Sequence, residues 1–494
     1  MRLKFLPYFL CRMAVMLSLL GSRAVFGGEP VAGSIDLADS SFSAGFLFDE
    51  YKLTLEAGER REAAGPFFYC EKREDDETFA FPPFFSNYKD NVIDSSEYDI
   101  LYPVLTYEHY TDEWRWQFCQ LLSFAGGRQP DDFKTRQFTL FPLYFQQRSL
   151  DTNLNYTAVM PFYGHLQNRL FRDKIFFVMF PAYSETQKRD IITDNYFYPL
   201  VHVRNGDGLH GWQVWPIVGA EHKAVTSETN GFGDVSMVPG HDQSFLFWPF
   251  WIKQDNSIGT DDPDKFRASL PLFVKERSPL RDQTSVLWPF FTWVDERGRK
   301  YHEWEGPWPF VIFARGEGKT TDRVWPIFSQ SHNKTQESDS YIWPLYRYKH
   351  YHVDPLDQYR TSVLFYLYVN VLEKNTETGK DKHRVGVWPF FTWQHEFNGN
   401  ERLQVLAPIE IVLPDSRGIV RNWSPVWSLW RQEKNPRAGA DSESLLWNLY
   451  RREAAPAHKK ISFLFGLFQY QRDGESHRTR LFYVTISRTR GAAR

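Results

Sequence analysis

The sequence predicts an all-β fold, a single large antiparallel up-and-down meander. Three observations predict it. A short phrase, aromatic–Pro–apolar–aromatic, recurs about every 20 residues along most of the chain, as expected of an array of one small unit. Runs of strand composition, rich in Trp, Tyr, Phe, Val, Ile and Thr, alternate with polar gaps of turn composition. No apolar helical periodicity extends over a useful length. The phrase reads WPFFTW at Trp288–Trp293 and again, letter for letter, at Trp388–Trp393. Looser copies begin at Phe141, Met160, Phe180, Trp215, Trp248, Trp308, Trp325 and Trp343.

The N-terminus reads as an export signal. Arg2, Lys4 and Arg12 supply positive charge, Met13–Leu20 is a short apolar core, and small residues lead to a cleavage point near Gly27–Gly28. The apolar run is shorter than the roughly 20 residues that span a bilayer. The expected order is a signal over 1–27, a polar arm over 28–48, one β-repeat domain over 49–488 and a tail over 489–494. The two cysteines beyond the signal, Cys70 and Cys119, lie in different repeat units, and a bond between them is left open.

Within the domain, gaps such as Asp295–Lys300, Gly316–Asp322, Ser331–Ser340 and Lys374–Lys382 separate runs of roughly 9–14 residues, giving about 22 strands. Short connections require antiparallel neighbours, because parallel pairing needs long crossovers. Gly219–Ser244 is the longest exception. It contains Asn230–Asp234 and Pro239–Asp242 and reads as a long loop or an extra strand.

Two registers alternate along the runs. One is apolar: Val363, Phe365, Leu367, Val369, Val371; Tyr156 through Leu166; and Leu403 through Leu413. The other holds the proline and a following Tyr, as at Tyr144, Tyr163, Tyr183 and Tyr346. An apolar outside and a mixed, Tyr-rich inside suit a closed outer-membrane barrel. In Arg421–Arg431 the registers swap character. Prolines placed in mid-strand are the main objection, since proline cannot donate to a ladder and lipid offers no substitute. A break at Pro289, Pro309, Pro326 and Pro344 points instead to a soluble array of shorter strands, of sandwich or propeller type.

Aromatics are 17% of the chain and the net charge is -3, with no basic tract, so nucleic acid is not an expected partner. No phosphate-loop, dinucleotide, zinc-protease or nucleophile-elbow motif occurs, and no enzyme, cofactor or metal is expected. His350 and His352 beside Asp354, and the trio Asp261, Asp262 and Asp264, read as solvated turns, and Asn205–Gly208 as a hairpin turn. The residues singled out are structural: Trp215, Pro216, Trp248, Pro249, Trp288, Pro289, Trp308, Pro309, Trp325, Pro326, Trp343, Pro344, Trp388 and Pro389 as the repeat core. The expected function is an exported outer-membrane β-barrel with a passive pore, transport or structural role, in contact with lipid and an apolar or amphipathic cargo. The alternative is a soluble periplasmic or secreted β-repeat module that binds a glycan or a protein through its loops.

Overall fold

The computed structural model describes residues 43–129, 132–229 and 233–489. The expected signal, residues 28–42 of the arm, residues 230–232 of the Asn230–Asp234 stretch and residues 490–494 of the tail lie outside it. Among the described residues, 43 strands form one antiparallel sheet and two more form a separate hairpin. Each strand of the large sheet pairs with its neighbours in the chain, so the predicted meander is present.

The strands are about twice as many as the 22 expected and about half as long. The reason is the proline. Trp288–Trp293 is not the middle of a strand. It spans a turn between the strands Arg281–Val286 and Phe291–Glu296. The Phe290 amide closes that turn on the Leu287 carbonyl at 2.9 Å, and Phe250 on Phe247 and Leu345 on Ile342 do the same at 2.7 Å. Neighbouring turns are tied to each other as well. The Trp248 amide donates to the Pro216 carbonyl and the Trp343 amide to the Pro326 carbonyl, both at 2.7 Å. Proline lacks an amide donor and therefore occupies the position where the ladder asks for none. The peptide bonds preceding these prolines are cis. The 20-residue period is two strands of about six residues, one apolar turn and one polar turn.

Cross-strand pairing carries two rows along each face. On one face Ala268, Val274, Ser285 and Thr292 are successive partners, all buried. This face, called inner here, is rich in small and polar residues, with a compact apolar patch of Phe145, Tyr156, Ala158, Leu166 and Phe177. Gly164 belongs to it. A Cβ there would lie 2.4 Å from Ala158 Cβ and from Phe177 Cζ, so no side chain fits. On the outer face Phe273, Val286 and Phe291 are successive partners and more than a third exposed. The long apolar stripes read from sequence are thus interrupted. Val363 ends one strand, Leu364–Leu367 is a turn, and Val369 and Val371 face inward on the next strand.

Two insertions depart from the pattern. Gly219–Ser244 contains the separate hairpin, Thr226–Thr229 against Val235–Val238. The stretch Leu406–Leu429 replaces one apolar turn and holds two short helices, Arg417–Asn422 and Ser424–Trp427. The strands expected through Leu403–Leu413 and Arg421–Arg431 therefore end at Val405 and begin again at Trp430. Ser416 caps the first helix through Ile419. Six residues are too few to leave a helical period in the sequence.

Among the described residues the ladder shows no closure into a barrel. Among the strands, Asp49–Lys52 pairs only with Gly58–Ala63, and Val484–Thr489 only with Ser476–Leu481. The two ends of the meander instead meet through inner-face side chains.

Candidate functional site: an apolar turn edge and a polar seam

Every strand runs between two rows of turns, and the two rows differ in chemistry. The aromatic–proline turns share one edge. Trp248, Trp288, Trp308, Trp325, Trp343 and Trp388 are each more than a third exposed there, as are Phe250, Phe290, Ile327, Leu345 and Phe390. Trp215 is half-buried, and Pro216, Pro249, Pro289, Pro309, Pro326, Pro344 and Pro389 lie in the same turns. The structure brings all fourteen sequence-selected residues to this edge rather than into an enclosed core. Turns without proline keep the chemistry, as in Leu364–Leu367 and Leu464–Leu467. The rings touch from turn to turn: Phe310–Trp325 at 5.6 Å, Trp325–Trp343 at 5.5 Å and Trp343–Phe365 at 5.5 Å.

The opposite edge carries Arg297–Arg299, Glu317–Gly318, Asp354–Pro355 and Thr376–Lys380. Asp261, Asp262 and Asp264 belong near it. Asp264 accepts from Asn256 and Ser257, and Asp262 from the Leu280 amide, as in an ordinary solvated turn. Exposed apolar residues on this side include Val92, Ile93, Leu150, Leu170, Phe171, Leu280 and Val353. His350 and His352 both approach Asp357, and His350 stacks on Tyr359. Among the described residues no group of three or more His, Cys, Asp or Glu side chains is arranged to hold a metal ion. Cys70 and Cys119 are not bonded to each other.

Next to the proline turns, the outer face adds one apolar row: Tyr346, Val363, Tyr368, Val387, Phe391 and Val405 in successive pairs. Tyr144, Tyr163, Tyr183 and Tyr346, read from sequence as inward-facing, all belong to this outer row. Trp293 and Trp304 pair one row further in. At about 3.4 Å per residue, turns plus this row make an apolar band about 10 Å deep. Because neighbouring turns bond to each other, the band presents few orphaned amide groups.

Behind the band, the inner faces of the first and last strands form a polar seam. Lys460 and Asp49, both nearly buried, meet at 2.6 Å. Glu62 accepts from the Tyr51 hydroxyl at 2.6 Å, from Arg60 at 2.7 Å and from Asn448 at 2.6 Å. Arg451 lies over the Tyr51 ring at 3.3 Å and Arg60 over Tyr69 at 3.8 Å. Burial pushes the Tyr69 hydroxyl up to about 12. Burial also opposes ionisation of Glu433, but Arg431 and Arg402 outweigh it and hold the carboxyl down at about 2. Apart from Lys460 and Asp49, these groups line a cavity of about 690 Å³.

The helical insertion seals the seam near the apolar edge. Arg421 contacts Asp99, which is fully buried, reaches Glu97 at 2.5 Å and donates to Ser86 at 2.9 Å. The Tyr69 hydroxyl donates to the Arg421 carbonyl at 2.9 Å, and the Trp423 indole to the Tyr102 carbonyl at 2.8 Å. Buried Glu410 accepts from Gln404, Ser424 and Trp427. The partners of Arg421 and Trp423 on the early strands lie more than 320 residues away in the chain, and no local pattern announces them. No protein family matches this chain, and no curated protein matches it either.

Proposed function

We propose that this is an exported protein of the outer membrane whose apolar turn edge sits in one lipid leaflet, with a passive structural or transport role and no catalysis. The observation that carries this reading is the contrast between edges: one row of turns mainly apolar and exposed, the other mainly polar with scattered apolar residues. Monomeric soluble proteins rarely expose contiguous apolar surface on this scale. A band about 10 Å deep matches the depth to which interfacial elements enter a leaflet, 5–10 Å.

Strands of six residues reach about 20 Å, whereas a spanning strand needs about 9–11 residues. That length favours seating on the membrane over a closed wall through it. The polar inner face, in turn, offers little to an apolar cargo, which finds its surface on the outer aromatic rows. A soluble glycan- or protein-binding module is the second reading, favoured by the same short strands.

Cell fractionation tests the proposal. The chain is expected with the outer membrane, retained after a high-salt wash and released by detergent. Quenching of tryptophan fluorescence by brominated lipids is expected to be strong for bromines near the headgroups and weak for bromines at the bilayer centre. Recovery as a soluble monomer overturns the membrane reading. Strong quenching from the bilayer centre supports the spanning barrel instead.

A further inference from the structure

Immediately above the apolar band, the second outer row of the sheet can be followed through successive partners from Glu185 to Thr479. Most of its members are neutral. Where it is charged it is mainly acidic: Glu185 opposite Asp194, then Asp322, Asp339 and Glu443, the last opposite Arg452. One place departs from this. Lys253 pairs with Arg267, and Arg267 with Lys275, three cations on three adjacent strands. The row behind adds Lys265 and Arg277, again direct partners.

Like charges directly opposite weaken a ladder, so this cluster calls for a compensating anion. The protein supplies only part of one. On the outer face of these three strands, Asp255 is the one carboxylate, and it takes Arg267 at 2.7 Å. Arg277 leans on Asp282 of the next strand at 3.7 Å. Asp242, on the strand before, pairs with Asp255 in register and contacts His222. Asp261 and Asp262 lie beyond the far end of the strands. Lys253 and Lys275 are exposed, and no ion pair is recorded for either among the described residues. The turns below them are strongly apolar. Phe247, Phe250, Trp251 and Leu272 are all more than half exposed. Lys253 stands two residues, about 7 Å, from Trp251 along the strand.

We propose that Lys253, Arg267 and Lys275 form a docking patch for anionic lipid headgroups, bearing phosphate or a comparable anion, at the leaflet entered by the turns Phe247–Phe250 and Leu270–Leu272. This rests on the leaflet-seated reading above. The turns place the lysines at headgroup height, and the long lysine stems reach along the apolar surface toward the phosphates. A basic side chain near an anionic surface contributes about fivefold in binding.

The test is flotation of the full chain with vesicles of phosphatidylcholine alone or with one-third phosphatidylglycerol, at low and high salt. The wild-type chain is expected to bind both, with anionic vesicles preferred and the preference reduced by salt. The double variant Lys253→Gln/Lys275→Gln is expected to lose about 30-fold on anionic vesicles and nothing on neutral ones. Lys334→Gln/Lys380→Gln, at the opposite edge, serves as the charge-matched control and is expected to change nothing. Equal binding to both vesicle types, or an equal loss in the Lys334/Lys380 control, overturns the patch while leaving the apolar edge standing. Inorganic phosphate that competes as well as vesicles do overturns the assignment to lipid. No binding to either vesicle overturns both readings.

Discussion

Replacing Arg421 with Ala should separate the two ends of the meander. Its guanidinium is 7% exposed and faces Asp99, whose side chain is at 0%. It also holds Glu97 and Ser86. Glu97 is about one-third exposed and recovers water when the cation leaves. Asp99 has no such recourse. It keeps neutral donors from Ser86 at 3.0 Å, Thr106 at 3.2 Å and Asn422 at 2.8 Å, but no counter-charge. Removing one partner of a buried pair costs about 3–5 kcal/mol, and here the Asp99 side supplies most of it. Urea unfolding followed by tryptophan fluorescence measures the loss. Asp99→Asn added to Arg421→Ala removes the stranded charge and should recover about half, giving a coupling energy above about 1 kcal/mol. A loss below about 1 kcal/mol for the single variant, or a double variant that costs the sum of the singles, refutes the seam as a buried electrostatic lock.

The seam should also be acid-sensitive. Glu433 is held down at about 2 against an ordinary 4.5, so its contribution, on the order of 3 kcal/mol, is present above about pH 4.5 and is lost as the pH falls toward 2. Urea midpoints measured from pH 2 to 7 should fall in that window, and Glu433→Gln should flatten the fall. Gly164→Ala should destabilise by about 1–3 kcal/mol through overpacking, since its methyl meets Phe177 and Ala158 at 2.4 Å. A thermal midpoint unchanged from wild type contradicts the packing described. Trp343→Ser, within the stacked series Phe310–Trp325–Trp343–Phe365, should weaken flotation with neutral vesicles by about tenfold, on the order of 1.5 kcal/mol or more for one large apolar side chain. Unaltered flotation with unaltered circular dichroism counts against the lipid edge.

What was legible in the sequence was the meander, and what was not was where each strand stops. Composition marks Asp295–Lys300 as a turn because Asp, Glu, Gly and Lys are poor strand formers. It marks Leu287–Phe290 as strand because Leu, Trp and Phe are good ones. Only Pro289 dissents, and its objection is physical: it has no amide to donate. In a protein folded around a closed core, a turn is polar because it meets water, so an apolar turn reads as strand. Here one row of turns is apolar along most of its length, and the pattern therefore runs straight across it. The same misreading halved the strand count and moved the tyrosines of the outer row to the inside. The seam was illegible for another reason. Arg421, Asp99, Asp49 and Lys460 are unremarkable charged residues until some hundreds of residues of ladder bring them face to face. The proline that argued against strands crossing lipid thus argues differently once it is placed in a turn. Carrying no donor, and set among turns that bond to each other, it is well suited to the part of a β-protein that lies against a membrane.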